Sequence, residues 1–218
     1  MNGARSTTGG AGAAPLAARI VLGVLVVGVA GFAVFAYGFR PLGSLVHPDL
    51  RPSFAAHPVA LYTHVFASVV ALLLGPLQFS TRLRRRSLEW HRRLGSTALL
   101  AVFVGGLAGL QLARSAYGGL PSRLGFATLA VLWLATAVMG IVTIARHDIA
   151  GHRRWLARNF ALTLAAVTLR LYVPLSIAAG IDFSRAYPVI AWLCWVPNLA
   201  VAEWRFVRPR RGRAGDAG

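Results

Sequence analysis

Residues 58–80 read PVALYTHVFASVVALLLGPLQFS, without a single Asp, Glu, Lys or Arg. An α-helix rises 1.5 Å per residue, so about 20 apolar residues cross a hydrocarbon layer of about 30 Å. The stretch is long enough for that crossing and suits lipid better than water.

Outward from it, five further stretches have the same character, at 18–39, 95–114, 124–145, 156–179 and 188–207. Together they predict an all-α fold, a bundle of six transmembrane helices filling 18–207. A Gly/Ala/Ser/Thr-rich leader at 1–17 and a basic tail at 208–218 are expected to be disordered. The first apolar run is longer than the core of a signal peptide and no small-x-small cleavage site follows it, so it is read as an uncleaved helix. Composition agrees, with 56% hydrophobic residues, 13% charged residues and a mean hydropathy of +0.61. Such a chain leaves too little polar surface for a soluble domain. Cys194 is the one cysteine, which excludes an intrachain disulfide and a Cys-based metal site.

A formal net charge of +17 would suit a nucleic-acid partner, because clustered Arg neutralises phosphates. Here the Arg residues sit between apolar stretches. That placement fits contact with the headgroups of membrane lipids, worth about 1 kcal/mol each, and nucleic acid is not an expected partner. Counted by side of the bundle, seventeen Arg fall on one face and five on the other, with Arg170 inside the fifth stretch. The positive-inside rule then predicts both termini in the cytoplasm, with the chain in the cytoplasmic (inner) membrane. Trp90, Trp155 and Trp204 near the inner boundaries and Tyr62, Tyr117 and Tyr187 near the outer ones read as aromatic belts.

The polar residues at membrane depth carry the functional information, because each is costly there unless it faces protein or water. On the fifth stretch His152, Asn159, Thr163 and Arg170 are spaced by seven, four and seven residues. At about 100° per residue they return to within roughly 20° of one direction. On the second, His57, His64, Ser68 and Gly75 nearly align, with Gln78 somewhat off and a bend expected at Gly75-Pro76. The two stretches run in opposite directions, so His64 and Arg170 should reach similar outer depth. Gln78 and His91 should lie near His152 and Asn159 at the inner end. Two such stripes predict a shared polar cavity lined by Gln78, Asn159, Thr163 and Arg170. The alternative is that the neutral groups only join helices by hydrogen bonds and that Arg170 snorkels outward.

A b-type haem needs two imidazoles from different helices at one depth. His91 and His152 meet that condition crudely, each followed by two Arg that could pair propionates, Arg153 among them. His64 is a further candidate ligand without an identified partner. His57 and His64 are about 10 Å apart along one helix and cannot share an iron. Zinc is disfavoured, since no carboxylate or Cys accompanies these histidines. His147-Asp148 and Asp182 read as turn residues, and Glu203 as an interfacial carboxylate. The segments Glu89-Trp90-His91-Arg92-Arg93-Leu94 and Gly151-His152-Arg153-Arg154-Trp155-Leu156 echo one another, as a duplicated two-helix unit would.

The run from His57 to Phe79, the segment His91-Arg92-Arg93-Leu94-Gly95, and the segment from His152 to Arg170 resemble the bacterial membrane family called domain of unknown function 2306. The likeness covers roughly residues 57–175 and carries over His64, Gln78, His91, His152, Arg153 and Arg170 as motif positions. It implies a polytopic inner-membrane protein and no particular chemistry. Three functions are therefore open: a haem-binding redox protein, a small-molecule or proton-coupled permease, and a non-catalytic membrane scaffold. No phosphate-binding glycine loop, nucleophile triad or carboxylate pair is present, which argues against hydrolase and ATPase chemistry.

Overall fold

The computed structural model of the chain describes residues 10–207. Residues 1–9 of the expected leader and the expected tail at 208–218 lie outside the described residues. Helices α1 (Gly10–Gly38), α3 (Pro58–Gln78), α5 (Leu88–Ala113) and α6 (Gly119–Ala145) each carry one long apolar span. The fifth span, Ile149–Ala178, is made of α7 (Ile149–Thr163) and α8 (Ala165–Ala178), separated by Leu164. Short helices α2 (Arg51–Ala56) and α4 (Thr81–Arg86) fill the connections around α3, and α9 (Phe183–Leu193) and α10 (Val196–Ala202) follow α8. No strand occurs among the described residues. Hydrocarbon offers backbone groups no partners, and a helix satisfies them within its own segment.

Five helices are thus long and apolar enough to cross a membrane. The expected sixth, 188–207, is broken. Pro197 stands in the first turn of α10 and lacks an N–H, and Trp195 leaves helical geometry at φ −126°. The Cys194 carbonyl at the break accepts from the Thr168 hydroxyl and from Asn198 Nδ2, the latter at 3.0 Å. At Gly75-Pro76, by contrast, α3 runs on to Gln78 with Pro76 inside it.

Helix starts follow local chemistry. Ser80, Ser87, Asp148 and Asp182 each accept a backbone N–H from the first turn of α4, α5, α7 and α9. The turn into α6 needs a left-handed residue, and Gly118 supplies it at φ 88°.

Packing uses small residues to bring helices close. A Cβ on Gly75 would stand 2.4 Å from the Phe160 ring, so α3 and α7 meet where only glycine fits. Gly106 does the same for Leu134 between α5 and α6. The main core joins Ala71, Val102, Trp133, Ala137, Leu162, Ala165 and Cys194 from five helices and the α9–α10 break. Helix α1 packs through Val26, Ala30 and Ala33 and leaves Ile20, Val24, Val27 and Phe35 exposed, a face suited to acyl chains.

Candidate ligand cavity

The candidate residues from the sequence fall into two regions. The first is a cavity of about 220 Å3 inside the bundle, walled by residues of α1, α3, α5, α6, α7, α8 and α9 and also lined by Leu50, Ser53 and Phe54. His64, Thr163 and Arg170 line it; Gln78, His91, His152, Arg153 and Asn159 do not.

His64 Nδ1 lies 2.8 Å from the Gly105 carbonyl on α5. A carbonyl oxygen only accepts, so Nδ1 carries the proton and Nε2 remains without a hydrogen bond among the described residues. One turn further along α3, the buried Ser68 Oγ has no hydrogen-bond partner among the described residues. Buried hydroxyls are rarely left this way.

Arg170 forms the opposing cationic feature. Its Nη1–H donates to the Ala166 carbonyl at 2.9 Å, which folds the side chain back one turn along α8. That direction leads toward mid-span. Snorkelling would lead the other way, to the nearer end at Ala178. No carboxylate among the described residues pairs with it. His64, Tyr37 and Tyr187 are all within electrostatic reach of the guanidinium.

Thr163 has a different character. Its hydroxyl accepts from Trp133 Nε1 at 2.9 Å and donates to the Asn159 carbonyl at 2.9 Å, so its polar capacity is largely spent.

The second region lies around the first half of the fifth span and the α3–α5 connection. Asn159 Nδ2 donates to the Trp133 carbonyl at 2.8 Å and to Thr136 Oγ1 at 2.9 Å, joining α7 to α6. Gln78 donates to the His91 carbonyl and accepts from the Gly95 N–H, both at 3.2 Å, closing α3 onto α5. His152 Nδ1 donates to the Gly140 carbonyl at 2.7 Å, again leaving Nε2 as the unbonded nitrogen. His91 is within electrostatic reach of His152, while Arg153 is exposed.

The two echoing segments begin their helices alike. Ser87 and Asp148 cap the third residues, Trp90 and Gly151, and the histidine stands fourth in α5 and in α7. Their side chains then diverge, since only His152 is tied to a neighbouring helix.

The connection from α1 to α3, which supplies Leu50 to the cavity lining, is pinned. Tyr117 Oη donates to Asp49 at 2.9 Å, and the His47 ring stacks on Phe183 at 3.8 Å. The bond to Asp49 holds the Tyr117 proton and raises its pKa.

Ser68, a member of the second stripe, belongs to the cavity wall, and so do Tyr37 and Tyr187, neither of which stood among the expected cavity residues. Tyr187 looked like a belt residue, yet it is 7% exposed and packs against Phe183 and Leu50. Tyr37 and Arg19 are the only strongly polar side chains in 18–38, which was the available signal. Glu203 bonds Arg158, with Nη2 to Oε2 at 3.1 Å, and Arg158 also lies over Trp155; these contacts tie the chain end to α7. Among the described residues, no three His, Cys, Asp or Glu side chains converge as a metal site would require.

A family model described as "Predicted membrane protein (DUF2306)" matches residues 61–206. No curated protein and no solved structure matches the chain.

Proposed function

The chain belongs to the DUF2306 family of predicted membrane proteins, and from that premise we propose that it binds a small membrane-borne molecule in the central cavity, as a permease or carrier does. The protein is an integral membrane protein; in this reading the broken α9–α10 segment supplies a sixth span and both termini are cytoplasmic. One observation carries the binding function. The orphan Ser68 hydroxyl, the unbonded His64 Nε2 and the unpaired Arg170 belong to the lining of a single cavity. Ser122 Oγ and Trp195 Nε1 are also unpartnered among the described residues and lie off the cavity, so it is the gathering of three such groups in one lining, and not a single orphan, that supports the reading.

The experiment is cysteine accessibility. With Cys194→Ala removing the native thiol, Ser68→Cys is expected to react in the folded protein with a small neutral thiol reagent. A position 68 that reacts only after denaturation would sink the binding reading. For the orientation, a C-terminal green fluorescent protein fusion is expected to fluoresce, and a dark fusion that is expressed and inserted would reverse it.

A haem b at the other region is the second reading. It is favoured by His152, whose Nδ1–H is anchored on Gly140, the orientation that second-shell bonds give to ligand histidines, with His91 in reach. The central cavity suits a bis-imidazole haem poorly, because His64 is its one histidine and 220 Å3 is below the roughly 300 Å3 at which pockets for drug-sized ligands begin. Purified protein from haem-replete cells should then show a Soret band that His152→Ala removes. A colourless preparation would dispose of this reading.

A further inference from the structure

We infer that the cavity ligand is a small amphiphilic monocarboxylate whose head pairs with Arg170. The inference rests on the binding function proposed above and assigns its substrate class.

The charge argument comes first. A guanidinium stays protonated in any protein environment, so Arg170 brings a permanent positive charge to membrane depth. Intramembrane charges of this kind face the bundle interior or a cavity and pair with one another or with backbone carbonyls; Arg170 has one such carbonyl, that of Ala166, for its five N–H donors. All five acidic residues among the described ones are engaged elsewhere. Glu89 pairs with Arg93 and Glu203 with Arg158, Asp148 and Asp182 cap helices, and Asp49 accepts from Tyr117. Arg170 has also forgone the escape open to a long side chain, since its bond to Ala166 turns it inward. The missing counter-charge is therefore expected from the ligand.

The head follows from the donors. One guanidinium matches one carboxylate in charge and in forked geometry, whereas a phosphate near −2 would keep an uncompensated charge in an apolar wall. Ser68 on α3, whose buried Oγ has no partner among the described residues, belongs to the same lining. The tail follows from the remaining lining, in which Val29, Ala33, Leu61, Val65 and Leu72 present only hydrocarbon. Size follows from volume. An engineered cavity of about 150 Å3 takes up benzene with its six heavy atoms, so 220 Å3 corresponds to a ligand of about nine, close to the ten of octanoate. Octanoate has that size and shape.

Trp133 lines the cavity and provides the reporter. Bromine quenches indole fluorescence on contact, so 8-bromooctanoate can be titrated into the full-length protein in detergent, with Trp133→Phe identifying the signal from this position. Saturable quenching of Trp133 is expected. Arg170→Leu should weaken the apparent affinity about tenfold or more, the loss typical of a charge-assisted bond. Methyl 8-bromooctanoate, with the same tail and no charge, should be similarly weak on the wild type. Arg170→Lys keeps the charge without the fork and should fall between; it also serves if the Leu variant does not fold.

Equal quenching by acid and ester, unaffected at position 170, would overturn the carboxylate assignment and leave the cavity's binding role standing. Absence of Trp133 quenching by either compound would overturn the assignment as well. Ser68→Cys reactivity then decides separately whether the cavity is open to ligands.

Discussion

Asn159 and Arg170 stand eleven residues apart on one span and have opposite fates. Asn159 has both amide hydrogens bonded across to α6, to the Trp133 carbonyl and Thr136 Oγ1. Arg170 makes one bond, to its own helix, and otherwise belongs to the lining of a cavity. The half of the bundle around Asn159 uses polarity for cohesion; the half around Arg170 keeps polarity in reserve. Satisfied polar groups hold helices together, and unsatisfied ones are maintained against their cost, which makes them the better pointer to function.

That contrast can be broken most directly at Arg170. Arg170→Leu removes a charge with no carboxylate partner among the described residues and is expected to stabilise the protein, by on the order of 2–3 kcal/mol, while ligand affinity falls. Thermal unfolding in detergent reads it, and a clear fall in melting temperature would mean that the guanidinium holds the fold. Gly75→Ala probes the cohesive half, where the new Cβ would press on the Phe160 ring. Overpacking of this kind costs about 1–3 kcal/mol, and unchanged stability would show that α3 and α7 are not in close contact. Asn159→Leu deletes the two cross-helix bonds and should destabilise by about 1 kcal/mol. Its sign is opposite to that of Arg170→Leu, and agreement in sign would remove the distinction between the halves.

The smallest effect concerns Asp182, outside the spans. Its hydrogen bond from the Ser184 hydroxyl, with the Ser184 and Arg185 N–H groups, holds its pKa below the ordinary carboxylate range. A carboxylate with a depressed folded pKa stabilises above its unfolded pKa, and the contribution is lost as pH falls through the folded value. Melting temperature should therefore drop slightly on strong acidification, and Asp182→Asn should flatten that part of the profile. An identical acid limb in both proteins would leave Asp182 without a role in α9.

Much of this was legible in the chain. The spans could be read because lipid selects for unbroken hydropathy, and α1, α3, α5 and α6 follow those runs within a few residues at most boundaries. The HRR echo marked two helix starts that prove to be capped alike. The break at Cys194-Trp195 was less visible, because hydropathy does not register that Pro197 withholds an N–H. The aligned stripe on the fifth stretch was real as a sequence pattern. It did not show that His152 and Asn159 would be spent on α6 while Thr163 and Arg170 reached the cavity.

By itself the sequence determined the solvent and the five long apolar spans, because those depend on hydropathy and on the rise and turn of single helices. Only the tertiary structure decided which polar groups found partners. A helix fixes the direction of a side chain about its own axis, whereas the Trp133 carbonyl, the Gly105 carbonyl and an empty volume beside Arg170 come from other helices packed against it.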